Sequence, residues 1–169
     1  MVRHFGNTNE TPKVNGSLAE NGCGKFADIN DAALISLRKL GITHLWLTGI
    51  LEQASSTAYP ERPADSPLLL KGKAGSPYAI RDYFDVCPDY ATDPTKRLDE
   101  FKALLKRIKK RGLKTIIDFV PNHVARSYSS DIRPELSFGR NDDTGKFFDP
   151  DNNFYYLGDL HPGGGAPLK

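Results

Sequence analysis

Apolar residues recur along this chain with two periods, and the two alternate. Ile29, Ala33, Leu37 and Leu40 fall on one helical face, with Leu34 beside them. Asp28 or Asn30 can cap that helix, and Gly41 follows where a left-handed cap would sit. Residues 42–47 then read as a short buried strand. The same order returns downstream. Asp93 can cap a second helix with Pro94 at its first position. Leu98, Phe101, Leu105 and Ile108 form its apolar stripe, with Leu104 beside it, and Gly112 ends it. Residues 114–120 are an apolar, β-branched run, the pattern of a strand buried on both faces. Residues 37–47 align with 108–118 as helix end, glycine stop and strand. Strands alternating with helices predict an α/β fold: a parallel sheet with right-handed crossovers.

The remaining stretches carry no strong period. Residues 2–6 read as the tail of a strand and 7–24 as a long loop. Residues 48 to about 92 far exceed the usual connection of a few residues, and loops of that length are functional or disordered. Their later part, 71–86, is too aromatic for disorder. From Val124 onward the chain is polar, with aromatic groups at Phe147-Phe148 and Phe154-Tyr155-Tyr156, and it closes on the glycine-rich residues 163–169. Two helix–strand units cannot cover both faces of their own sheet, so the chain reads as a piece of a larger protein.

One strand end concentrates chemistry. Pro121 ends the 114–120 strand because it has no N–H for the ladder. Asp118, Asn122 and His123 are packed into that exit. In parallel sheets, ligands bind at the carboxyl ends of strands. The competing reading is a core strand with a polar exit, and the two are evenly matched on composition alone. Lys+Arg of 23 against Asp+Glu of 21 is too balanced to argue for nucleic acid or an anionic membrane. The basic residues Lys102, Lys106, Arg107, Lys109, Lys110 and Arg111 fit a solvated outer helix face, where they also complement the helix dipole. No apolar run approaches the roughly 20 residues that span a membrane, and the first six residues lack the apolar core of a signal peptide. The expectation is a soluble protein, cytoplasmic by preference. Cys23 and Cys87 fit no metal spacing and read as two unpaired thiols.

Asp118-Phe119-Val120-Pro121-Asn122-His123 resembles the Asp-x-x-x-Asn-His motif at the third barrel strand of the α-amylase family of glycoside hydrolases. Two further features stand before it in the family's order. Residues 41–47 resemble the second strand and its approach. Residues 76–86 resemble the Gly-Tyr-x-x-x-Asp-Tyr segment after that strand, with Pro77 where glycine is usual. The resemblance covers about residues 26–123. It implies a partial (β/α)8 TIM barrel, from the end of strand one to strand three, within residues 1–123. Residues 124–169 are then the start of the irregular subdomain inserted after strand three. The whole barrel typically takes about 250 residues.

The resemblance also implies a reaction: cleavage of α-glucosidic bonds in an α-glucan, maltooligosaccharide or related α-glucoside. Retaining enzymes of this kind use two carboxyl groups about 5–5.5 Å apart. In the family these come from strands four and five, with a third acid from strand seven, so none falls in this sequence, and the chain alone is expected to be inactive. What remains is supporting work. Tyr78 is expected to stack on the sugar at the cleavage subsite, where packing on the rim is the alternative. His123 is expected to hydrogen-bond a sugar hydroxyl, an ordinary histidine being the alternative. Asp118 is expected beneath the site, orienting groups supplied from elsewhere. Asn122 matches a position that gives an oxygen to a structural Ca²⁺ in many family members. Calcium takes 6–8 oxygens, so one Asn does not define a site; Asp142, Asp143, Asp149, Asp151 and Asn152 could add ligands but read first as solvated loop acids. The implied partners are an α-linked glucose oligo- or polysaccharide and the rest of the chain's own barrel. Two other readings stay open: a glucosyl-transferring or isomerising member, and a barrel without its acids that serves as a binding or transporter-accessory domain.

Overall fold

The computed structural model describes residues 1–156. Its helices and strands run in the order α1 (Leu18–Asn21), α2 (Asp31–Lys39), β1 (His44–Leu47), β2 (Leu51–Gln53), β3 (Ile80–Val86), α3 (Arg97–Lys110) and β4 (Lys114–Ile117). The two helix–strand units are both present. Asn30 caps α2, its side chain accepting the Ala33 N–H, and Gly41 follows with φ +87°. Gly112 takes the same left-handed role after α3, with φ +72°. β1 and β4 pair in parallel, with Leu45 opposite Thr115 and Trp46 opposite Ile116.

The apolar stripes meet in one core. Leu34, Phe101, Leu104 and Ile108 are buried in it together with Phe26 and Leu47. The Phe26 ring centroid lies 5.4 Å from Phe101 and 6.0 Å from Tyr90, the latter edge-on, a geometry that adds to simple burial. Arg107 ties α3 to the turn before α2, donating to the carbonyls of Phe26 and Ile29 at 2.8 Å each. Arg111 pairs with Asp31 at 2.7 Å. The expected solvated basic face therefore holds for Lys102, Lys106, Lys109 and Lys110, while two of its arginines are structural links. Cys23 and Cys87 are both free thiols, and burial pushes Cys23 up to about 11.

Several expectations are corrected. The 2–6 strand tail is a 3₁₀ turn over Val2–His4, because the Phe5 N–H closes back on the Val2 carbonyl at 3.0 Å and the Arg3 carbonyl is taken by the Gly24 N–H. The 7–24 loop contains α1, nucleated by a capping box in which Ser17 accepts the Glu20 N–H and Glu20 accepts the Ser17 N–H at 2.9 Å. Asp93 caps a 3₁₀ turn at Pro94–Lys96, and α3 begins after it, at Arg97. β4 stops at Ile117 instead of 120, since its one ladder partner, β1, ends at Leu47.

The strands are also not buried on both faces. Leu45 and Leu47 turn toward the core, but Trp46 is 64% exposed and its register partner Ile116 is 44% exposed. Alternation along a strand sends these two to the face the helices do not cover. Leu40, expected on the buried face of α2, is exposed as well.

The 48–92 stretch, which showed no period, holds a second sheet. β2 and β3 pair antiparallel, with Glu52 opposite Asp82 and Gln53 opposite Ile80, and the register shifts twice over three residues. Such irregularity erases the period-2 signal. Ion pairs knit this lobe. Arg62 meets Glu52 at 2.9 Å and Asp65 at 2.8 Å. Arg81 meets Asp65 at 3.0 Å. Arg97, at the start of α3, reaches Asp85 at 2.6 Å, Asp131 at 2.9 Å and Glu61 at 3.3 Å. After β4 the chain returns along β3: the Ala125 N–H bonds the Ile80 carbonyl at 2.7 Å, and the Ser129 N–H bonds that of Arg81 at 2.9 Å. Residues 157–169, with the glycine-rich stretch, lie outside the described residues.

Candidate functional site

The exit from β4 is held from the side by β3. The Tyr83 hydroxyl donates to the Val120 carbonyl at 2.5 Å and to the His123 carbonyl at 3.3 Å. Its ring packs between Phe119, at 5.3 Å, and Tyr128, at 5.7 Å, and Tyr128 stacks on Phe138 at 4.3 Å. Pro121 removes one backbone donor from this loop. The loop's remaining shape therefore depends on a hydroxyl from another sheet.

Asn122 and His123 sit side by side at the tip. The Asn122 amide nitrogen lies 2.9 Å from His123 Nδ1. With the amide as donor, Nδ1 is the acceptor, and the proton of the neutral ring is on Nε2. The imidazole then offers an N–H outward, and Asn122 keeps its carbonyl oxygen for another partner. Both residues line a cleft of about 600 Å³. Tyr83, Phe119 and Phe138 give it aromatic walls, and Arg126 adds a cation. Residues 152–154 close the far side, where Asp142 accepts the N–H groups of Asn153 and Phe154 at 2.9 Å each and the Tyr156 hydroxyl at 3.0 Å. Apolar walls with a few convergent polar groups are the usual make-up of a small-molecule site, and this volume lies inside the usual range of roughly 300–1,000 Å³.

The structure thus brings together two of the four residues singled out in the sequence. Asp118 is half-buried behind the cleft, its N–H reaching the Leu47 carbonyl at 3.4 Å. Tyr78 is 43% exposed on the turn before β3, anchored by its N–H to Ser76 Oγ at 3.3 Å, and it does not line the cleft. The loop acids organise backbone. Asp143 accepts the Gly145 N–H, and Asp149 accepts the Asp151 N–H and pairs with Lys146. Asn122 brings one amide oxygen to the cleft. Among the described residues, the one grouping of three or more acidic, cysteine or histidine ligands is elsewhere, at Glu52, Asp82 and Asp131.

Two sets of residues were missed. Tyr83 was inside the quoted 76–86 segment, but its task is visible only once β3 is placed against the β4 exit. Glu52 and Asp82 lay in the stretch without period. Burial above all pushes the Glu52 carboxyl up to about 7 and raises Asp82 and Asp85. None of these three lines the Asn122–His123 cleft.

A parallel strand pair backed by helices, with an aromatic cleft at its carboxyl rim, is an α/β arrangement of the kind found in part of a barrel. The family model for the alpha amylase catalytic domain matches residues 5–149, and the chain belongs to that family. The chain is 36% identical over 83 residues to maltase 1 of Drosophila virilis, covering 49% of this chain and 10% of that protein. It is 31% identical over 117 residues to the trehalose-6-phosphate hydrolase of Bacillus subtilis, covering 69% of this chain and 17% of that protein. A crystal structure of a maltogenic alpha-amylase from Thermotoga neapolitana shares the fold with a TM-score of 0.50 at 23% identity, over 77% of this chain and 26% of that one. The chain therefore spans less than a fifth of the length of these two curated relatives. The family's catalytic domain is a (β/α)8 barrel, and the described elements supply part of one. Among the described residues, no helix is long and apolar enough to cross a membrane.

Proposed function

We propose that this chain is one wall of the sugar-binding site of an enzyme that cleaves α-glucosidic bonds with retention, using two carboxylates supplied by other strands. β1 and β4 correspond to the second and third barrel strands, and residues from Val124 begin the subdomain inserted after the third. The observation that carries this reading is the Asn122–His123 pair at the carboxyl end of a parallel strand, inside an aromatic cleft. An imidazole N–H directed outward can donate to a sugar hydroxyl, and such a bond accelerates the reaction if it tightens as charge develops at the anomeric carbon. Tyr78, outside the cleft on the turn before β3, presents an exposed aromatic face of the kind that suits the apolar face of a pyranose. Asp118, half-buried, orients rather than reacts.

The complete protein, incubated with maltooligosaccharides, is expected to release shorter sugars whose first-formed anomer is α, read by proton NMR. Cleavage of β-linked cellooligosaccharides alone, or a β first product, contradicts the reading. Residues 1–169 by themselves are expected to release no reducing sugar above a buffer blank, because the reacting carboxylates are not among them.

A further inference from the structure

The β2–β3 lobe buries more carboxyl groups than arginines. Glu52 and Asp82 are register partners across the two strands, and like charges directly opposite each other destabilise a strand pair. Glu52 is 2% exposed and Asp82 0%. Asp131, from the segment that runs back along β3, completes a triangle in which one ligand oxygen of each residue lies within 4.8 Å of the other two. Around this point six carboxyl groups, four of them buried (Glu52, Asp65, Asp82, Asp85) and two exposed (Glu61, Asp131), share three guanidinium groups (Arg62, Arg81, Arg97). Asp82 Oδ1 accepts the Phe84 N–H at 2.7 Å, while Asp82 Oδ2 is buried with no well-formed hydrogen bond and has the side chains of Ser130 and Asp131 beside its carboxyl. A buried carboxylate oxygen without a well-formed hydrogen bond is unfavourable unless a positive charge or a proton meets it.

We propose that Glu52, Asp82 and Asp131 bind a hard divalent cation of the Ca²⁺ or Mg²⁺ class. An all-carboxylate donor set suits these ions and not the softer metals that favour imidazole or thiolate. Each ligand is already oriented by a second contact: Glu52 by Arg62 at 2.9 Å, Asp82 by the Phe84 N–H, and Asp131 by Arg97 at 2.9 Å. Asp131 reaches solvent and, with Glu61 and Arg97, lines a surface cleft of about 340 Å³ that gives an ion its route in. The remaining coordination positions fall to water. The bound ion ties β2, β3 and the segment after β4 together, apart from the Asn122–His123 cleft, which none of its three ligands lines.

The test uses the complete protein, stripped with EDTA and titrated with CaCl₂ and with MgCl₂ by calorimetry, with thermal unfolding followed alongside. The parent protein is expected to bind one more ion per chain than Asp131→Asn, and saturating cation is expected to raise its Tm by more than it raises that of the variant. Asp131→Asn changes a solvent-reaching group, which keeps the fold intact, and Asp82→Asn provides a second variant at the buried corner. Equal stoichiometry and equal Tm gain in the parent and both variants overturn the proposal. So does a parent that binds neither ion and is less stable than Asp131→Asn, since the buried carboxyl groups are then held by protons.

Discussion

β1 and β4 carry apolar side chains that this chain leaves in solvent, whereas β2 and β3 carry carboxylates that it has buried. The parallel pair has helices on one face only, so Trp46 and Ile116 stand open on the other. The antiparallel pair is closed by its own loops, by the start of α3 and by the segment after β4, with arginines threaded between. The first region is unfinished in the way of a barrel interior, which further strands fill with side chains. The second is self-sufficient, and its specificity is electrostatic. The difference separates a region whose packing is open to further strands from one that is closed by its own ion pairs.

Breaking the ionic side should have the largest effect. Arg97→Ala removes the shared partner of Asp85 and Asp131 and leaves the buried Asp85 carboxylate uncompensated, with an expected loss of about 3–5 kcal/mol in urea unfolding of the complete protein. Breaking the open side tests whether it is a barrel interior. Trp46→Ala in the complete protein is expected to lose about 3–5 kcal/mol, the usual result of truncating a core tryptophan. A loss within about 0.5 kcal/mol, typical of a surface change, would show that this face stays in water.

A smaller effect probes the joint between the two regions. Tyr83→Phe deletes the hydroxyl that holds Val120 and His123, and is expected to lose about 1 kcal/mol and to speed hydrogen exchange in the 120–124 loop. As a positioning change it should lower turnover in the complete protein more than it alters the Tm. The smallest effect lies outside both sheets. The Ser17 N–H first, and then Lys13, hold the Glu20 carboxyl down to about 2, so the capping box contributes stability above the ordinary glutamate value of 4.5 and loses it as pH falls through about 2. Acidification across that window should release the Ser17 amide, seen by its exchange rate, and Glu20→Gln should flatten that pH dependence.

The sequence made the parallel half readable because its signals are local. Amphipathic stripes, the Asn30 cap and the left-handed glycines at 41 and 112 each act within a few residues, and the structure places them as expected apart from the exposed Leu40. The antiparallel lobe was unreadable because two register shifts in three residues remove its alternation, and because acids at 52 and 85 look exposed until arginines at 62, 81 and 97 are brought to them. Of the candidate site, Asn122 and His123 were legible as a motif. Tyr83 and Asp131 were not, since their partners lie tens of residues away along the chain.

The central claim is that the loop leaving β4 is the sugar-binding wall and that His123 is its working residue. It is tested most directly by the kcat of the complete protein on maltooligosaccharides with His123→Ala. His123 is exposed, so the fold should survive the change, as an unaltered Tm would verify. A fall of roughly 10²-fold or more, the scale of a lost transition-state hydrogen bond, is the predicted result; an unchanged kcat at unchanged Tm would contradict it.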